Sequence, residues 1–406
     1  MSQTHPRTRQ SSAPGRVVLV SRIFAPEPSA ASFRLAALRD ALVARGRRVD
    51  VLSSTAPGEH GTTRTTTDAG GAIRRWPVLR NKDGYVRGYL PYLSFDVPVL
   101  FRLLAGRRPD VIVVEPPPTT GTVVRLAAAL RRVPYVYYAA DAWAEAAVTT
   151  GAPRPVTQLL AAIEKRAWRG AASVLTVYPA MERRIRDLEP DAAVALVGHG
   201  ADTSVFRPDG PLAPETHPYL VYAGTASEVH GASVFIDALP AVLAQVPDAR
   251  VYFIGQGEER VAMEAAASRL PPGSVHFLPR LPPEETATWI RGARAALASV
   301  RPGPYGFALA TKVYAAAGCG VPVLYAGGGE GRALVLANGL GDAVDHDVDA
   351  VAAGMIAALR RPPDAEAARR RVAWTLREAS LQAAADRAAG VVIGVAERTA
   401  SRGQRD

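Results

Sequence analysis

The residues best suited to chemistry lie at 301–322, RPGPYGFALATKVYAAAGCGVP. A Pro/Gly loop turns there into an Ala-rich helix at Thr311-Lys312, which stops at Gly318 and Gly320 before an apolar strand. Lys312 falls in the first helical turn, where unpaired N–H groups and the positive end of the helix dipole favour an anion. Lysine is otherwise scarce, with only Lys82 and Lys165 set against abundant arginine. Thr311-Lys312 therefore reads as a phosphate grip. The plainer reading, a loop-to-helix junction with a solvated lysine, stays open on the local sequence. Three glycine-bearing turns, at 224–231, 255–257 and 327–331, each follow an apolar run. Glycine lets the backbone approach a ligand closely, and successive N–H groups form anion nests. None of the three is a Walker loop, and SRIFAPEPS stands where a dinucleotide fingerprint would place its glycines.

His230 precedes Gly231 at a helix start and could give a charge-assisted hydrogen bond to a diphosphate, or simply cap the helix. Asp141 and Trp143 follow a strand's carboxyl end, where open α/β sheets bind ligands. Asp141 could bind a sugar hydroxyl, act as a base, or serve as a helix N-cap. No His/Cys cluster has metal spacing and no Gly-x-Ser-x-Gly elbow is present.

These residues need strands and helices to hold them. Runs 17–20, 49–52, 110–114, 134–138, 173–177 and 194–197 are short and apolar, as in strands buried on both faces. Leu35, Leu38, Leu42 and Val43 recur at helical spacing behind the helix-start candidates Ser29 and Ser32, giving a βαβ unit. Residues 56–71, rich in Thr and Gly, read as a surface loop. Residues 74–102 mix basic and aromatic side chains around a helix at 95–104. They suit either an interface with lipid headgroups or a surface helix packed on its own sheet, with Pro91 and Pro98 as interruptions. A second β/α series restarts at 219–223 and includes a helix at 232–246. Helices from 365 to about 397, broken near Gly390, close the chain.

A chain of 406 residues suggests two domains. The expected order is a disordered tail at 1–15, a first Rossmann-like domain at 16–198 and a linker at 199–217. A second Rossmann-like domain at 218–375 and helices at 376–406 that return to the first complete it. Hydrophobic residues at 48% and charged residues at 21% are globular values. The net charge of +10 suits an anionic partner, but no nucleic-acid-binding motif accompanies it and no nucleic acid is expected. The single Cys319 rules out an internal disulfide, and no apolar run reaches membrane-spanning length. A cytoplasmic protein, soluble or peripheral to the membrane, is expected.

In succession the linker His199-Gly200-Ala201-Asp202 with Phe206-Arg207-Pro208, the turn Tyr222-Ala223-Gly224, Thr311-Lys312 with Gly320-Val321-Pro322-Val323, and Gly329-Glu330-Gly331 resemble the retaining glycosyltransferases of family 4. The bacterial surface-polysaccharide branch is the nearest in look. Phe24-Ala25-Pro26-Glu27-Pro28, Glu115-Pro116-Pro117-Pro118-Thr119 and 141–145 of the first half agree. The resemblance implies a GT-B fold, two Rossmann-like β/α domains facing across a cleft. It places a nucleotide-sugar donor on the second domain and a glycan, polyprenyl-linked or small-molecule acceptor on the first. Lys312 would neutralise the departing diphosphate, with His230 and Asp141 beside the chemistry. Gly224, Thr225, Gly257, Arg280, Thr311, Gly329, Glu330 and Gly331 would hold the donor, and Glu27, Ser32, Arg34 and Trp143 the acceptor. No metal and no other cofactor is implied. The family's ribose-binding glutamate falls at Ala315, or at Val313 in another alignment, and its usual basic pair becomes Thr225 and His230. Glu330 is a candidate to replace the glutamate. A degenerate, non-catalytic binding protein is the alternative.

Overall fold

The computed structural model describes residues 15–27, 29–56, 63–80, 86, 88–140, 143, 153–303 and 309–403. The chain divides into two compact units, residues 1–197 with 385–406, and residues 198–384. The first unit contains β1 (Arg16–Val20), α1 (Ala30–Ala44), β2 (Arg48–Ser54), β3 (Arg64–Asp68), β4 (Gly71–Trp76), α2 (Tyr89–Ala105), β5 (Val111–Val114) and α3 (Pro118–Arg131). It continues with β6 (Tyr135–Ala139), α4 (Arg154–Gly170), β7 (Ser173–Thr176), α5 (Pro179–Leu188) and β8 (Val194–Leu196). The second contains β9 (Tyr219–Ala223), α6 (Ser233–Asp237), α7 (Leu239–Gln245), β10 (Arg250–Ile254), α8 (Arg260–Ala267), β11 (Val275–Leu278), α9 (Pro283–Gly292) and β12 (Ala295–Ser299). After these come α10 (Lys312–Gly318), β13 (Val323–Ala326), α11 (Gly329–Ala337), β14 (Gly341–Val344), α12 (Val348–Arg360) and α13 (Ala365–Glu378). The last helix, α14 (Leu381–Gly403), begins in the second unit and belongs to the first from Ala385 onward.

Among the described residues the first sheet runs β3-β4-β2-β1-β5-β6-β7-β8 and the second β11-β10-β9-β12-β13-β14. All pairs are parallel except β3 with β4. The continuous apolar runs follow from this, because a parallel sheet is covered on both faces. In β1, Val17 and Leu19 face α1 and α14, while Val18 and Val20 face the side filled by Phe95, Val99, Val124 and Trp168. In the second unit Leu220 and Tyr222 join the cluster built by α6, α7 and α12, and Val221 the one built by α9, α10 and Val335.

Local chemistry fixes the ends of elements. The Ser29 hydroxyl caps α1 by accepting from Ser32 N–H, and Asp347 and Asp364 cap α12 and α13 in the same way. Buried Asp50 ties three strands: its carboxylate accepts from Arg16 of β1 and from the Ala72 N–H of β4 at 2.9 Å. The linker is pinned where Ala201 bridges Ser380, with Leu381 N–H donating to the Ala201 carbonyl at 2.8 Å. A Cβ on Gly200 would run into the carbonyl of Ala379, so glycine is required there.

Several expectations are corrected. The surface loop expected at 56–71 instead contains β3, which pairs antiparallel with β4 as a hairpin. Three threonines make β3 a fully exposed edge strand, and Asp68 closes the turn by accepting from the N–H groups of Gly70 and Gly71. α2 is longer than 95–104, because Pro91 sits in the first turn where no N–H is needed, and Pro98 is carried inside the helix. The helix at 232–246 is two, joined at Ala238 just before Pro240. The break in the C-terminal helices lies at Ala379 and Ser380, and Gly390 sits inside α14.

The Gly200 contact gives a stability test. Gly200→Ala should lower unfolding free energy by about 1–3 kcal/mol, the usual cost of forcing atoms into a filled space, read as a lower urea midpoint with unchanged slope.

Candidate active site

The carboxyl ends of β9, β10 and β13 carry the turns singled out by their glycines. Gly224 follows β9 with φ +142, and its N–H donates to the Ile254 carbonyl at 2.8 Å. Gly255 and Gly257 follow β10, and a Cβ on either would strike the carbonyl of Gly224 or Ala226. Glycine here lets two turns lie against each other. Gly331 serves packing as well, since a Cβ there would enter the Tyr325 ring. Gly329, with φ +66, opens α11.

Lys312 is the first residue of α10, and Thr311 before it is exposed and makes no side-chain cap. The lysine does not extend into solvent. Its stem crosses Gly224, where a Cβ would lie 3.0 Å from Cε, and its Nζ donates to the Tyr222 hydroxyl at 2.8 Å. Nζ also lies 4.1 Å from the centre of the Tyr222 ring. No carboxylate pairs with it among the described residues. Burial alone pulls its ammonium down from 10.5 to about 7. The half-buried side chain keeps some contact with water, which softens this effect.

His230 stands close enough to feel that ammonium. Burial first, and then the Lys312 charge, drag its imidazole down to about 3. Its Nδ1 lies 2.8 Å from the Ser227 hydroxyl. In the ligand-free protein the His230 imidazole is therefore neutral. Beside it, Gly231 has φ +57, and a Cβ would lie 2.5 Å from Arg301 and 2.9 Å from His346. Arg301 pairs with Glu259 at 2.8 Å, and His346 Nε2 lies 3.1 Å from the Gly231 carbonyl. His346 and Glu259 carry no local signal in the sequence, and Tyr222 and Arg301 enter it only within longer motifs, with no role of their own.

The remaining donor candidates spread around this centre. Thr225 is exposed, with its carbonyl accepting from the Tyr222 hydroxyl at 2.9 Å. Arg280 is exposed beyond the end of β11. Glu330 lies in the first turn of α11, and its charge adds to burial in raising the Tyr314 hydroxyl. That places Glu330 on the side of α10 facing Tyr314, which stacks between His199 and Trp374. Val313 is fully buried in the core, while Ala315 is half-buried and apolar. Neither offers a ribose ligand.

In the first unit, Ser32 and Arg34 are 1% and 7% exposed and turn inward. Arg34 pairs with Glu115 beyond β5 and lies over the Tyr138 ring at 5.1 Å. Glu27 is half-buried, 3.4 Å from Arg80, and its carboxyl is raised by burial against the opposing pull of Arg80. Trp143 N–H donates to buried Glu164 at 3.1 Å, and its ring meets Tyr92 edge-on at 6.3 Å. Asp141 lies outside the described residues, as do residues 305–307 used in the alternative alignment.

Two family models match the chain: a glycosyl transferase 4-like domain over residues 29–200 and glycosyl transferases group 1 over residues 217–361. No curated protein matches by sequence. Among solved structures, sucrose-phosphate synthase from Thermosynechococcus elongatus is similar at a TM-score of 0.64 and 17% identity, over 96% of this chain and 98% of that one. WaaG, a glycosyltransferase involved in lipopolysaccharide biosynthesis, gives 0.66 and 16%, over 93% and 100%. HepE of Anabaena, in complex with UDP and glucose, gives 0.63 and 15%, over 92% and 98%.

The depressed Lys312 ammonium has a readable sign. Without ligand, burial of its charge opposes folding as pH falls from 10.5, and does so fully below about 7. A bound dianion restores the charge. Binding of a nucleoside diphosphate above pH 7 should therefore take up a proton, and affinity should weaken by up to about tenfold per pH unit between 7 and 9. Calorimetry in two buffers of different ionisation enthalpy measures the uptake. Lys312→Met should remove it, and zero uptake in the native protein would refute the lysine's role.

Proposed function

The chain being a glycosyltransferase of GT-B fold, we propose that it moves a sugar from a nucleotide-sugar donor to a lipid-linked glycan with retention at the anomeric carbon. The observation that carries the donor side is Lys312, a lysine drawn in over Gly224 with no carboxylate partner among the described residues. A diphosphate placed against it receives a full charge in a poorly solvated setting, where electrostatic stabilisation of a leaving group is strongest. The Thr225 N–H, with the neutral His230 and the exposed Thr311, completes the diphosphate surround. Arg280 is assigned to the nucleobase side, and Gly329, Glu330 and Gly331 to the sugar and ribose. The leaving phosphate itself accepts the acceptor's proton, and neither a metal nor another cofactor takes part. Glu27 and Trp143 are assigned to the acceptor, with Arg34 positioning Glu115. Work at the cytoplasmic face of a membrane fits a lipid-linked acceptor.

Replacing Lys312 by Ala should reduce turnover about 10²–10³-fold, the range for losing one preorganised transition-state contact. The experiment is calorimetry and a transfer assay with a panel of nucleotide sugars, with the product anomer read by NMR. Silence of the native chain across the panel, or an inverted anomer, would contradict the reading.

Glu330 is proposed as the ribose carboxylate that Ala315 lacks. Glu330→Gln should raise KM for the donor about tenfold and leave kcat within about twofold, the value of one charged hydrogen bond. A change in kcat with KM constant would assign Glu330 elsewhere.

A further inference from the structure

Helix α2 is apolar on two sides. Phe95, Val99 and Leu103 are buried inside the first unit, where Phe95 stacks on Trp76 at 5.0 Å. Leu90, Leu93, Val97 and Phe101 recur at the same helical spacing and are 68, 54, 47 and 64% exposed. A helix that is apolar all round belongs in covered surroundings, and monomeric chains seldom leave such a stripe open. The patch continues sideways. α3 packs on α2 and exposes Leu126 and Leu130, and α4 packs on α3 and exposes Leu159.

Charge decides what covers this face. The three helices hold two carboxylates, Asp96 and Glu164, and both are buried. Asp96 accepts from the Thr120 hydroxyl at 2.6 Å, and Glu164 from the Trp143 N–H. Arg107 and Arg108 are exposed just beyond α2 and Arg132 just beyond α3. Arg131 caps the end of α2, donating to the carbonyls of Leu104 at 3.0 Å and Gly106 at 2.6 Å. Exposed leucines flanked by arginines, with no exposed carboxylate on the three helices, suit hydrocarbon beneath anionic headgroups. A second copy of the chain fits poorly, because the same face would set arginine against arginine.

We propose that the face made by α2, α3 and α4 rests on an anionic lipid surface. This deepens the lipid-linked acceptor reading and rests on it for its purpose. Tyr92 in the first turns of α2 has Arg22 over its ring at 4.6 Å and meets Trp143. The helix that lies on lipid thus begins beside an acceptor candidate, and an acceptor anchored in the same leaflet arrives next to it.

The test is co-sedimentation of the full chain with phosphatidylcholine vesicles, with and without phosphatidylglycerol. Binding should require phosphatidylglycerol and weaken with added salt. The double variant Leu93→Ser/Phe101→Ser, at two exposed positions, should bind about tenfold more weakly or worse, the value of one large apolar side chain in hydrocarbon. Native protein that ignores phosphatidylglycerol, or a double variant that binds equally, overturns the proposal. So does a dimer in light scattering that the double variant dissociates. Donor binding by calorimetry should be the same in native and double-variant protein. Its presence alongside failed vesicle binding would sink the membrane face alone, and its absence would sink the donor reading alone.

Discussion

An ammonium group drawn into protein without a carboxylate to meet it is the constraint that organises the second unit. Burying a charge alone is unfavourable, and the usual outcome is a shifted pKa or a partner. Lys312 shows the first, and its partners are a phenol oxygen, a ring face and the bare backbone at Gly224. Each neighbour follows from this. Tyr222 ends a buried strand and aims its hydroxyl at the lysine. Gly224 leaves room for the stem. His230 stays neutral because it is buried and, secondly, because a charge beside the ammonium would be repelled. Such a centre has a standing free-energy gradient toward anions.

The fold was legible to the degree that burial dictates sequence. Strands covered on both faces must be apolar throughout, and β1, β5, β6, β7 and β9 are read directly from that rule. The β3–β4 hairpin escaped because its outer strand is exposed along its whole length, leaving no alternation to see. Gly390 misled for a related reason. A glycine inside a long helix costs little when tertiary packing holds both sides, and Ala388, Ala389 and Val392 do so. The true break at Ser380 is imposed by the linker strand, a partner far away in sequence.

The site was legible at Lys312 and the glycine turns, because those residue types are scarce or conformationally special. The direction of the lysine was not, since a first-turn residue gives no hint that its side chain folds back over another strand's turn. Glycines were over-read. Gly257 and Gly331 answer to neighbouring carbonyl and ring atoms before any ligand does. The contacts made by Tyr222, Arg301 and His346 were not legible because they arise from long-range proximity.

The two units treat their buried cations differently, and that difference bears on where an anion would bind. In the first unit arginines are answered from within. Arg34 has Glu115, Arg80 has Glu27, Arg16 has Asp50, and Arg22 donates to the Val86 carbonyl. An incoming anion there would compete with partners already in place. In the second unit Lys312 has no such partner among the described residues, and Arg301 and His346 meet at Gly231, the residue after His230. An anion placed there relieves an existing desolvation cost and displaces no ion pair of the lysine. The same reasoning leaves the paired arginines of the first unit less available to an anion than Lys312 is.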